Sequence, residues 1–196
     1  MATAQRVLTL TTDQTPAVVN VSSKELSGVQ WVSRFPTSRA VSDLSEKFQS
    51  NVNQFISAVQ QAGGSVSIAA TYRPKERAFL MHYSHAIANE KVKAGDVPEM
   101  AGVTIDWEHG TLAKSKAAAA AMVAGYAIVY APSLVSRHTE RNAIDMTISG
   151  VKKKTMKDAS GVDVLIQNDS DLYKVGASFG VKKLVTDPPH WSVDGT

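Results

Sequence analysis

An α+β fold, with a small, mainly antiparallel sheet flanked by helices, is what this sequence predicts, and three observations lead there. Helical spacing of apolar residues dominates the first two thirds of the chain. Period-two alternation takes over after Gly125. Helices that come first and strands that come mostly later segregate into separate layers, whereas βαβ units would alternate. The 196 residues, 43% hydrophobic and 20% charged, suffice for one self-sustaining core.

Element by element, residues 1–38 are rich in Thr, Ser, Val and Gln without helical spacing, and read as an extended N-terminal arm or short strands packing on the body. Residues 39–196 form the folded domain. Its first helix runs from about Asp43 to Ala62, with Ser42 as N-cap, Glu46 in the first turn, and Leu44, Phe48, Val52, Phe55 and Val59 on one face. Gly63 and Gly64 stop it. Ser65 to Thr71 reads as a strand. Pro74 takes the first position of a second helix that reaches Lys91. A turn-rich stretch leads to a third helix, Leu112 to Ala124, built on five consecutive alanines and ended by Gly125. Ala143 to Ser149 alternates, with Ile144, Met146 and Ile148 on one face and Asp145 and Thr147 on the other. Val162 to Ile166 is a further strand, Asp169 to Phe179 a helix closed by Gly180, and Leu184-Val185 and His190 to Val193 are short end strands.

Composition excludes several classes. With no cysteine, the chain has no disulfide framework, thiol nucleophile or thiolate metal site. A net charge of +3 is too small and too scattered for a dedicated nucleic-acid binder. Lys152-Lys153-Lys154 with Lys157 reads as a solvated turn, the alternative being weak attraction to an anionic polymer. The longest apolar stretch, Ala117 to Pro132, is mostly alanine, is broken by Gly125, and falls short of the ~20 strongly apolar residues that span a bilayer. The N-terminus, MATAQRVLTLTTDQTPAVV, lacks the apolar core of a secretory signal peptide. A soluble protein without a membrane span is expected.

A metal site without cysteine must use histidine and carboxylates. His82 and His85 share a helical face, but lie among Phe79, Leu80, Met81 and Ile87 and read as partly buried, hydrogen-bonded side chains. Asp106, Glu108 and His109 share a loop and read as solvated groups. The third cluster is SRHTERNAIDM, residues 136–146, together with DPPHWS, residues 187–192. Asp145 is an acid inside an otherwise apolar strand, and Pro188-Pro189 hold Asp187 in a set relation to His190. His138, Asp145 and His190 can supply two neutral imidazoles and a carboxylate to a zinc ion, leaving a position for water whose pKa the ion lowers toward ~7. Asp187 can then take the water's proton. A plain hydrogen-bonded His/Asp pair is the alternative that spacing leaves open.

The order Ser136-x-His138, Asp145, Asp187-x-x-His190-Trp191, preceded by Ala70-Thr71-Tyr72-Arg73, resembles the LAS-type zinc peptidases of peptidoglycan. That group includes D-alanyl-D-alanine carboxypeptidases of the VanY and VanX types and phage L-alanyl-D-glutamate endolysins. The resemblance covers roughly residues 40–196 and implies a single zinc site in a cleft. It puts His138, Asp145 and His190 on Zn2+, Asp187 as catalytic base, Arg73 against the developing negative charge of the scissile carbonyl, and Ser136 on the substrate or in support of His138. Two departures stand out: Arg141 occupies the glycine position of the family's HxxGxAxD pattern, and Trp191 is followed by Ser192 where many relatives have an acid. Aspartate as base is common in the L-alanyl-D-glutamate endopeptidase branch, whereas carboxypeptidases commonly carry glutamate. The resemblance therefore implies an enzyme that hydrolyses the peptidoglycan stem peptide, as an endolysin freed by a holin or as a toxin exported by secretion machinery. A D-alanyl-D-alanine carboxypeptidase and a non-catalytic wall-binding domain are the alternatives.

Overall fold

The computed structural model describes residues 23–196; residues 1–22, where most of the expected N-terminal arm falls, lie outside the described residues. The fold is α+β. Its helices are α1 (Glu46–Gln61), α2 (Lys75–Ala88), α3 (Leu112–Gly125) and α4 (Asp169–Ser178). Its strands are β1 (Glu25–Leu26), β2 (Ser65–Ala70), β3 (Ile105–Asp106), β4 (Ala143–Ser149), β5 (Thr155–Lys157), β6 (Asp163–Leu165), β7 (Lys182–Lys183) and β8 (His190–Ser192). A four-stranded sheet in the order β2-β4-β8-β7 is antiparallel throughout, β5 and β6 form a separate antiparallel pair, and β1 and β3 pair in parallel.

Two apolar clusters hold these elements. The apolar stripe of α1, with Phe48, Val52, Phe55 and Val59 buried, packs against Ile144 and Met146 of β4, Trp191 of β8 and Leu172 and Val175 of α4. Alternation along β4 explains the match: its inward residues enter this cluster, whereas Thr147 is exposed and Asp145 half-buried. The second cluster joins Phe79, Leu80 and Ile87 of α2 to Ala119 and Met122 of α3, with Trp31, Ile105 and Trp107. Residues of the arm that are described, 23–38, are tied down: β1 pairs with β3, Trp31 is 1% exposed, and Ser38 exchanges main-chain hydrogen bonds with Thr71 and Tyr72.

The ends of several elements differ from the sequence-based expectation. A 3₁₀ turn at Val41–Asp43 precedes α1, so its N-cap is Ser45 and not Ser42. Ser45 donates its hydroxyl to Asn142 Oδ1 at 2.6 Å and its N–H to the Arg141 carbonyl at 2.8 Å, which ties the helix start to the turn before β4. Pro74 lies just outside α2, and that helix ends at Ala88 because Glu90 adopts a left-handed φ of 57°. The strand expected at Leu184-Val185 is instead β7, Lys182–Lys183, and the residues after it form a turn. The lysine-rich segment is an exposed turn in which Lys154 donates to the Gly63 carbonyl, while Lys157 on β5 pairs with Asp163 of β6 at 2.8 Å. Among the described residues, no helix is long and apolar enough to cross a membrane.

Candidate metal centre

Strand register builds the centre. In the antiparallel pairing of β4 with β8, Asp145 stands opposite His190. On the other side of β4, a bulge between Ile68 and Ala70 sets Ala70 opposite Asp145, so the chain beyond β2 leaves the sheet at that level. His138 comes from the turn before β4. Ser136 and Thr139 brace that turn, through Thr139 Oγ1 donating to the Ser136 carbonyl at 2.8 Å and the Ser136 N–H donating to Thr139 Oγ1 at 3.0 Å.

Three side chains thus converge. His138 Nε2 lies 3.1 Å from Asp145 Oδ1 and 3.2 Å from His190 Nδ1, and His190 Nδ1 lies 3.1 Å from the same carboxylate oxygen. The far nitrogen of each ring is committed elsewhere. His138 Nδ1 donates to the Thr71 carbonyl at 2.6 Å, and His190 Nε2 to the main-chain oxygen of Thr196 at 3.2 Å. Because those oxygens only accept, each neutral ring keeps its proton on the outer nitrogen and turns a lone pair inward. Two lone pairs and a carboxylate oxygen then face one another with no proton between them, an arrangement that a cation relieves. Donors 2.0–2.1 Å from a tetrahedral zinc stand about 3.3–3.4 Å apart, close to the separations found here. The outward N–H bonds to main-chain oxygens are the partners that orient ligating imidazoles.

His138 is 3% and His190 8% exposed. Burial by itself pushes the Asp145 carboxyl up, but wherever the His138 and His190 rings carry a second, inward proton, their N–H donors and positive charge hold it below the usual carboxylate range. Among the described residues, His138, Asp145 and His190 form the one group of three or more histidines and acids arranged to hold a metal ion. Two imidazoles and a carboxylate suit zinc and its first-row neighbours.

The other residues singled out by sequence fall into place around this group to different degrees. Arg73 is half-buried, donates its main-chain N–H to the His138 carbonyl at 3.2 Å, and has Asp145 and Arg77 as charged neighbours. Burial lowers its pKa, Asp145 opposes that and Arg77 adds to it, yet a guanidinium stays charged at any pH of interest. Asp187 is exposed on the turn between β7 and β8, and its carbonyl accepts the His190 N–H at 3.0 Å. Ser136 belongs to the turn that presents His138, where its hydroxyl accepts from the Thr139 N–H at 3.4 Å.

Of the other three histidines, His82 and His109 make hydrogen bonds that tie loops to the body. His82 Nδ1 bonds the Pro132 carbonyl at 2.8 Å, and His109 Nε2 pairs with Ser27 Oγ at 2.9 Å. Sequence reasoning missed Thr71 and Thr196, which act through main-chain oxygens, and it missed Lys183, whose ammonium binds the turn that carries Asp187. It also missed the fork of Arg137 on Asp194. Asp194 in turn accepts the Thr196 N–H at 3.2 Å and so steadies the oxygen that faces His190. Lys183, Arg137 and the acid four residues behind His190 were available as charged residue types, whereas the main-chain oxygens of Thr71 and Thr196 leave no trace in residue type.

No protein-family model matches the chain, and a search of curated proteins finds no match.

Proposed function

We propose that this chain is a zinc-dependent peptidase that hydrolyses a bond of the peptidoglycan stem peptide, most specifically the L-alanyl-D-glutamate bond. The observation that carries the reading is the inward convergence of two imidazole lone pairs and a carboxylate beside a half-buried arginine, with an exposed aspartate in the turn of the last ligand. His138, Asp145 and His190 would hold a dication, which when bound would supply Lewis acidity and make a water acidic enough to react.

The chain's own groups do the rest. Asp187, exposed on its turn, accepts the proton of the attacking water and returns it to the leaving amine. The Arg73 guanidinium, tied through its main chain to His138, faces the negative charge that develops on the scissile carbonyl oxygen. Ser136, at the edge of the same turn, offers a hydroxyl to the substrate peptide. The choice of bond leans on the resemblance, in which an aspartate at the position of Asp187 is common in the endopeptidase branch.

Digestion of purified peptidoglycan followed by mass spectrometry of the fragments tests this. New carboxyl termini on L-alanine and new amino termini on D-glutamate are expected, with the activity lost on chelation. Asp187→Ala should retain the metal and lose ~10²–10⁴ in rate, and Arg73→Ala should lose ~10²–10³. Stem peptides left intact by metal-loaded protein would overturn the assignment.

A further inference from the structure

The turn between β7 and β8 carries Asp187 and leads directly into His190, yet it is short of hydrogen-bond donors. Pro188 and Pro189 contribute carbonyls and no N–H. The main chain closes the turn with three bonds: Leu184 N–H to the His190 carbonyl at 3.1 Å, Asp187 N–H to the Leu184 carbonyl at 3.2 Å, and His190 N–H to the Asp187 carbonyl at 3.0 Å. Each of these three carbonyls has a second lone pair to satisfy.

One side chain meets all three. Lys183 Nζ donates to the carbonyls of Leu184 and Asp187, and to that of His190 at 2.9 Å. An ammonium has three N–H donors, so the whole donor capacity of Lys183 is spent inside this turn. Its stem lies where β7 pairs with β8, Lys183 opposite Trp191, and its ammonium is 5.7 Å from the centre of the Trp191 ring. The turn is also fastened to β4 by the Met146 N–H, which donates to the Pro189 carbonyl at 2.8 Å.

We propose that Lys183 is a positioning residue of the metal centre, its ammonium locking the 184–190 turn so that His190 presents Nδ1 to the ion and Asp187 keeps a fixed place beside it. The inference rests on the reading of His138, Asp145 and His190 as metal ligands. Two effects of Lys183 have opposite signs, which makes them separable. As a positive charge near the ion, facing Asp187 and Asp145, it opposes cation binding, so its removal by charge alone tightens the metal. As the brace of the turn it favours binding, so its removal loosens the metal.

The experiment is zinc affinity of the full chain, by competition with a chromophoric chelator, for wild type, Lys183→Met and Lys183→Arg. Circular dichroism serves as the check on folding, and the visible spectrum of the Co2+ form as a report on ligand geometry. Lys183→Met is expected to weaken zinc by ~10–100-fold, the scale seen when partners of metal ligands are removed, and to alter the Co2+ spectrum. Lys183→Arg keeps the charge but replaces three diverging donors with a planar fork, and is expected to weaken zinc by at least threefold. Affinity in Lys183→Met equal to or tighter than wild type overturns the positioning role while wild-type binding leaves the metal site standing. Should the Met variant not fold, unchanged affinity and spectrum in Lys183→Arg overturn it. A wild type that binds no zinc overturns the site reading and this inference together.

Discussion

At the scale of single residues, Arg141 shows how this chain fills a backbone position that suits glycine. Its φ of 63° lies in the left-handed region, where a Cβ costs about 1–2 kcal/mol. Two contacts offset that cost: the guanidinium stacks 3.9 Å from the centre of the Tyr72 ring and donates to the Asp43 carbonyl at 3.0 Å. Each contributes about 0.5–1 kcal/mol. The arginine therefore exchanges backbone ease for a grip on the residue next to Arg73. Ordinarily alanine stabilises a chain relative to glycine, but at a left-handed position the order inverts. Thermal unfolding should place Arg141→Gly above Arg141→Ala by about 1 kcal/mol, a Tm difference of about 2–4 °C in a protein of this size. Alanine at or above glycine would show that the turn does not hold the left-handed conformation.

At the scale of elements, the seat of α4 on the sheet bears on the candidate ligand His190. A Cβ on Gly176 would stand 2.8 Å from Trp191 Cζ3, 2.8 Å from the Val181 carbonyl oxygen and 3.1 Å from Phe55 Cζ. A backbone oxygen and two rings of a packed core have little room to yield, and overpacking of this kind costs about 1–3 kcal/mol. Since Trp191 follows His190 on β8, the displacement reaches the candidate metal centre. Gly176→Ala should lower Tm by about 2–4 °C per kcal/mol and weaken zinc binding in the same titration that reports on Lys183; an unchanged Tm would mean that α4 moves as a unit. The elements that sequence made legible are those set by side-chain period. The bounds of β4 coincide with its alternation, and the stripe of α1 is the stripe that is buried. What escaped is set by main-chain geometry. β1 and β3, two residues each, are too short to show a period, Ser42 yielded its cap to Ser45 once Val41–Asp43 turned, and β7 shifted because Leu184 enters a turn held by its own carbonyl. The same division runs through the site: His138, Asp145 and His190 carry their chemistry in residue type, whereas the oxygens of Thr71 and Thr196 belong to the backbone and any residue could provide them.

At the scale of the whole molecule, the candidate centre fastens segments that are remote in sequence. His138 holds the chain beyond β2 through the Thr71 carbonyl, that chain is bonded to Ser38, and His190 holds the segment that Asp194 folds back. Without a cation, folding must bring two inward lone pairs and a carboxylate together against their mutual repulsion; with one, the same contacts become favourable. An ion that binds the folded chain and not the unfolded one stabilises it by mass action, about 2.7 kcal/mol at a free concentration 100 times Kd. At 2–4 °C per kcal/mol, saturating zinc should therefore raise Tm by about 5–11 °C, and a chelator should return it to the metal-free value. His138→Ala, Asp145→Ala and His190→Ala should each lose most of that increment, because two remaining ligands hold zinc far more weakly than three. Asp187→Ala should keep it, since its carboxylate is not among the converging atoms. A zinc-dependent rise that survives His138→Ala and Asp145→Ala unchanged would mean that the ion binds elsewhere, and the enzymatic reading would fall with it.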